Sequence, residues 1–122
     1  MATLTYMFTT INDGGSLRYA ITTTAMSGEQ QLFTNGLLTV GVWYHLAVTQ
    51  SGTTATLYDG AQVVRSTPMT LNPSKLGLTT QNWLGWSQYA SDAYLKGKVD
   101  ELRVYNRAIT VAEVTELYTQ RM

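Results

Sequence analysis

Trp43-Tyr44-His45-Leu46-Ala47-Val48-Thr49 is the most strongly apolar run of the chain, with bulky side chains at both odd and even positions. A segment large and apolar on both faces suits the middle of a sheet, so it is expected as a central strand with Trp43 in the core. Ser51-Gly52 then turns the chain. Residues 55–58 and 62–65 flank Asp59-Gly60, a two-residue hairpin signal, because these residue types tolerate positive φ.

Toward the amino terminus, Leu4, Tyr6 and Phe8 alternate with Thr5, Met7 and Thr9, the period of two that a half-buried strand requires. Asn12-Asp13-Gly14-Gly15 reads as a hairpin turn. Residues 16–23 return as its partner, with Leu17, Tyr19 and Ile21 on one face. Residues 30–33 form a short strand candidate, and Asn35-Gly36 a turn.

Toward the carboxyl terminus, Pro68 and Pro73 disfavour a central strand, and residues 82–87 read as the next one. A polar loop through Ser91-Asp92 follows, then a strand over residues 97–105 whose two faces are imperfectly sorted. Thr110 and Glu113 form a capping box, with Val111, Val114, Leu117 and Tyr118 behind them at helical spacing. A short helix over residues 111–118 is expected, held only if its apolar stripe docks on a sheet. Short strands between frequent turns predict an all-β, antiparallel β-sandwich with one short C-terminal helix.

The totals agree with one folded domain: 122 residues, 44% hydrophobic and only 13% charged, with eight Tyr and three Trp to bury. Eight basic and eight acidic residues cancel without forming runs, so no field attracts phosphate backbones or anionic lipid. Nucleic acid and membrane surfaces are therefore not expected partners. No continuous apolar stretch reaches the ~20 residues of a spanning helix. With no cysteine, disulfide, thiolate–zinc and cysteine-nucleophile chemistry are excluded. The start lacks the basic-then-apolar pattern of a secretion signal.

Three blocks in order resemble the laminin G-like domains of the concanavalin A-like lectin/glucanase kind. They are the run 43–49, the hairpin Ala55-Thr56-Leu57-Tyr58-Asp59-Gly60, and the stretch from Leu84-Gly85-Trp86-Ser87 through Tyr94-Leu95-Lys96-Gly97-Lys98-Val99-Asp100-Glu101-Leu102-Arg103-Val104-Tyr105-Asn106-Arg107-Ala108-Ile109. The resemblance implies a jelly-roll sandwich, a structural role for His45, and Tyr58 and Tyr105 in the core. It makes calcium a candidate ion, with Asp92 and Asp100 as its ligands. It also implies strands ahead of Leu4, so the chain is expected to lack the family's first strands. Such an open edge recruits another strand, and a homodimer completed across the gap is expected.

The chemistry in the residues is that of a binder. His45 has no second histidine or cysteine for a metal or nucleophile pair, and no Gly-x-Ser-x-Gly turn is present. Asp100 and Glu101 are adjacent, so a regular strand points them to opposite faces and they cannot flank one glycosidic bond. Asp100 is expected to bond backbone or loop groups, and Glu101 to be solvated or paired with a basic side chain. Trp83, Trp86, Tyr89 and Tyr94 lie in one stretch with Gln81, Asn82, Gln88 and Ser91 between them, the aromatic planes and amides that a sugar ring requires. On a strand Trp83 and Trp86 would face opposite ways, one in the core and one exposed; the family position makes Trp86 the exposed one. Trp86 is then either a ligand platform or a packing or oligomer contact. The expected function is a non-catalytic carbohydrate-binding or adhesion module of a larger extracellular bacterial protein. The alternative is a structural or self-associating module with no sugar ligand.

Overall fold

A computed structural model describes residues 5–11 and 14–120. Strand β1 (Tyr6–Ile11) pairs antiparallel with β2 (Leu17–Thr22), and β2 with β3 (Gln30–Phe33), giving one three-stranded sheet. Strands β4 (Leu46–Ser51), β5 (Thr54–Asp59) and β6 (Gln62–Pro68) form a second antiparallel sheet of the same size. Helix α1 (Val111–Gln120) ends the described chain. The architecture is the expected mostly-β arrangement of two antiparallel sheets and one short C-terminal helix.

Period-two alternation builds the core between the sheets. Leu17, Tyr19 and Ile21 of β2 and Leu32 of β3 share one buried cluster with Ala55 and Leu57 of β5 and with Met69. Leu46, Val48 and Val64 close it from the second sheet. Each fully buried large aliphatic side chain here contributes roughly 1.5–3 kcal/mol relative to exposure. Two glutamines fasten the segment after β6 over this core. Gln50 Nε2 of β4 donates to the carbonyl oxygens of Met69, at 3.1 Å, and of Leu71. Gln30 Oε1 of β3 accepts the Leu71 N–H at 2.9 Å.

Both hairpins of the second sheet turn on a left-handed glycine. Gly52 has φ 56° and Gly60 has φ 62°, a region open to Gly at no steric cost. The tight loop between β5 and β6 is Gly60-Ala61, one residue later than expected, because Asp59 stays in the ladder opposite Gln62. A register shift between Leu57 and Tyr58 absorbs the difference.

Several expectations are corrected. β4 begins at Leu46, so Trp43, Tyr44 and His45 precede the strand, and Trp43 is 59% exposed, not in the core. Residues 82–87 form no strand, because Gly85 takes φ 75° and bends the chain. Residues 97–105 are likewise unpaired: Glu101 sits at φ 53°, which interrupts an extended run. Tyr105 is accordingly exposed, whereas Tyr58 is buried as expected. Asn12, Asp13 and Leu4, parts of the expected first hairpin, lie outside the described residues.

The helix forms as its capping box requires. Glu113 N–H donates to Thr110 Oγ1 at 3.2 Å and Thr110 N–H donates to Glu113 Oε2 at 2.7 Å. Val114 is fully buried, with Leu117 and Tyr118 half-buried beside it. The helix runs to Gln120, two residues past the expected end.

Candidate functional site

The loop after the second sheet assembles an exposed aromatic cluster. The Leu95 N–H donates to the Gly85 carbonyl at 3.0 Å, pinning the two ends of residues 85–95 together. Trp86 and Tyr94 immediately flank this bond, so their rings meet edge to face with centroids 5.8 Å apart. On the other side Trp86 lies 5.7 Å from Trp83 at an interplanar angle of 39°. Offset and edge-on ring contacts at these separations are favourable in themselves.

Both tryptophans are exposed, Trp83 at 42% and Trp86 at 56%. The expectation that one would be core fails because it rested on strand alternation, and this segment is not a strand. Asn82 is exposed at the edge of the cluster, its Oδ1 accepting a hydrogen bond from Thr79 Oγ1 at 3.1 Å. Gln88 and Tyr89 are half-buried. Tyr89 leaves the cluster: its N–H donates to Ser87 Oγ and its ring packs edge-on against Tyr6, 6.1 Å away.

The acidic candidates are spread out. Asp92 lies on a turn, its N–H donating to the Tyr89 carbonyl at 3.0 Å. Asp100 Oδ1 accepts the Glu101 N–H at 2.8 Å, and Glu101 pairs with Arg103 at 2.7 Å. Among the described residues no group of three or more His, Cys, Asp or Glu side chains gathers as a metal set.

Two arrangements escape a reading by local spacing. On the face of the first sheet away from the core, the nearly buried carboxylate of Glu29 accepts from the Tyr6 hydroxyl at 2.5 Å, from Arg18 at 3.4 Å and from Gln31 at 2.5 Å. Burial first, then the Glu29 contact, pushes the Tyr6 hydroxyl far above its ordinary range. Phe8 stacks on Tyr6 at 5.4 Å, and the Arg18 guanidinium lies 4.8 Å over the Phe8 ring. These residues are held together by strand register, which pairs Phe8 with Ala20 and Thr10 with Arg18.

The second is a cleft of about 380 Å³ at the end of the second sheet. Trp43, Tyr44, His45, Asp59, Gln62 and Tyr118 line it. The Gly60 N–H donates to the His45 carbonyl at 2.7 Å, which sets the residues before β4 against the β5–β6 hairpin. Tyr118 comes from α1, its ring 5.7 Å from the His45 imidazole.

Two antiparallel sheets around one apolar core define a β-sandwich. The family model of the concanavalin A-like lectin/glucanases superfamily, in its laminin G form, matches residues 2–115. The chain belongs to that superfamily. A similar solved structure is the 2.1 Å crystal structure of residues 221–444 of an S-layer domain-containing protein from Clostridium thermocellum ATCC 27405. The two are 28% identical with a TM-score of 0.59, over 97% of this chain and 65% of that one. This chain therefore spans just under two thirds of that structure's length. Comparison with curated proteins gave no match.

Proposed function

We propose that this chain is a non-catalytic carbohydrate-binding module of a larger bacterial cell-surface protein, with Trp86 as its stacking platform. One observation carries the reading: the contiguous, exposed cluster Trp83–Trp86–Tyr94, fastened by the Gly85–Leu95 hydrogen bond. Sugar rings stack their C–H faces on such planes, while amides such as Asn82 and Gln88 bond hydroxyl groups. Tyr89 supports the loop from beneath through Tyr6. The lectin-like superfamily favours this reading, and the name of the S-layer structure favours a surface location.

The non-catalytic part rests on how the carboxylates are used. Asp100 is engaged by a backbone N–H and Glu101 by Arg103, so neither is set up as an acid–base pair across a bond. A glycan array probed with the wild type and with Trp86→Ala tests the proposal. Binding lost on substitution supports it; a wild type that binds no glycan removes it. Running both with calcium and with chelator tests the calcium role assigned to Asp92 and Asp100.

A second reading, a structural or self-associating module, is favoured by the exposed apolar side chains of residues 99–105, where Val104 is 89% exposed. Exposed apolar side chains, when they gather into a patch, mark interaction surfaces.

A further inference from the structure

We infer that the cleft between His45, the Asp59-Gly60 hairpin and Tyr118 binds a primary alkylammonium group on an aliphatic stem, of the lysine side-chain kind. The cleft is separate in residue content from the Trp83–Trp86–Tyr94 cluster, and its volume of about 380 Å³ falls in the range of small-ligand pockets.

Its lining matches a cation and its stem. Three aromatic side chains, Trp43, Tyr44 and Tyr118, supply electron-rich faces that attract ammonium groups and pack against methylene chains. Trp43 stands largely exposed at this position, where sequence patterning had put a core residue. Asp59 brings a carboxyl group to the lining, half-buried and in no salt bridge among the described residues. Among the described residues no lysine or arginine lines the cleft.

The lining carries side-chain acceptors for the three N–H donors of an ammonium. They include the Asp59 carboxylate, the Gln62 amide oxygen and a ring nitrogen of His45. His45 Nδ1 is buried with no hydrogen-bond partner among the described residues, a costly state that calls for a physical reason. A donor group entering the cleft that His45 lines would give this nitrogen the partner it lacks. Gly60 brings the hairpin close to the helix at this wall: a Cβ there would stand 3.2 Å from the Tyr118 ring and press it outward.

His45 is the single histidine of the chain, so its imidazole NMR signals report on this cleft without ambiguity. The wild type is titrated at constant pH with n-butylammonium, with Nα-acetyl-lysine methylamide, and with n-butanol and methyl glucoside as neutral probes. Saturable His45 shifts with the amines and none with the neutral probes are expected. Asp59→Asn should weaken amine binding by about tenfold, the effect of losing a charge-assisted acceptor. Added salt should weaken it in the unaltered protein, which keeps the test decisive if Asp59→Asn fails to fold. Equal affinity for both amines points to a protein side chain as the natural source, and preference for butylammonium to a free amine. No saturable shift with either amine, salt-independent binding, or a neutral probe that binds as well would overturn the inference. Trp86→Ala leaves these shifts unchanged, so glycan binding and amine binding stand or fall separately.

Discussion

Gly60 and Tyr118 meet so closely that a Cβ added to the glycine would lie 3.2 Å from the aromatic ring. The hairpin and the helix are thus fitted to one another through the absence of a side chain. Gly60 also holds φ 62°, where an L-residue costs roughly 1–2 kcal/mol. Gly60→Ala is therefore expected to destabilise the protein by about that amount or more, and to loosen α1. The midpoint of urea unfolding should fall, with loss of the helical band in far-ultraviolet circular dichroism. An unchanged midpoint would mean that the helix does not depend on this seat.

The start of the same helix should be acid-sensitive. Arg107 clasps Glu113 with two hydrogen bonds, 2.9 Å and 2.6 Å, and the Thr110 N–H adds a third. The Arg107 fork first, then the Thr110 backbone, hold the Glu113 carboxyl down at about 2 against an ordinary 4.5. Since the folded state favours the ionised form, this contribution is whole above pH 4.5 and fades as the pH falls toward 2. Helicity should decline across that window in the wild type and lose this acid transition in Glu113→Gln. Thr110→Ala should cost about 1 kcal/mol through the lost cap at neutral pH.

Alkaline conditions should act through the core of the first sheet. Burial pushes the Tyr19 hydroxyl up to about 12 from an ordinary 10, and Tyr19 lies against Leu32 across the ladder. A raised phenol binds its proton more tightly when folded, so stability is intact below pH 10 and is lost as the pH climbs toward 12. Tyr19→Phe removes the ionisable group and should shift alkaline unfolding to higher pH. A profile identical to the wild type would show that Tyr19 does not govern it.

What the sequence made legible follows from the range of each signal. Period-two alternation at Leu17, Tyr19 and Ile21, and a glycine beside Asp59, act within a few residues, and the strands stand where these cues put them. The reciprocal Thr110–Glu113 cap is equally local. Residues 82–87 and 97–105 misled because alternation there is interrupted by left-handed backbone at Gly85 and Glu101, which composition does not disclose. The Glu29 network and the His45 cleft were out of reach for another reason. Tyr6 and Glu29 are 23 positions apart, and Trp43 and Tyr118 share a wall only because the hairpin and helix converge. The aromatic richness of residues 83–94 was visible, but its partition was not, since it depends on one hydrogen bond from Leu95 to Gly85.

Among the described residues each sheet ends on an unpaired edge, which supports the homodimer proposal in a form that can be tested. β1 (Tyr6–Ile11) borders one side of its sheet and carries neither charge nor proline, the usual protections against adding a foreign strand. Its Met7 and Ile11 are 44% and 48% exposed, so pairing along this edge would cover apolar surface as well as backbone donors and acceptors. By contrast β6 carries Arg65 and ends on Pro68. Light scattering behind size exclusion should show a concentration-dependent dimer, and Thr9→Lys, which places a charge on exposed β1, should shift it to monomer. The Lys substitution leaves the Trp86 cluster untouched, so glycan binding per chain should persist while any gain from bivalency disappears. A wild type that stays monomeric at high concentration would exclude completion of the sheet by a second copy.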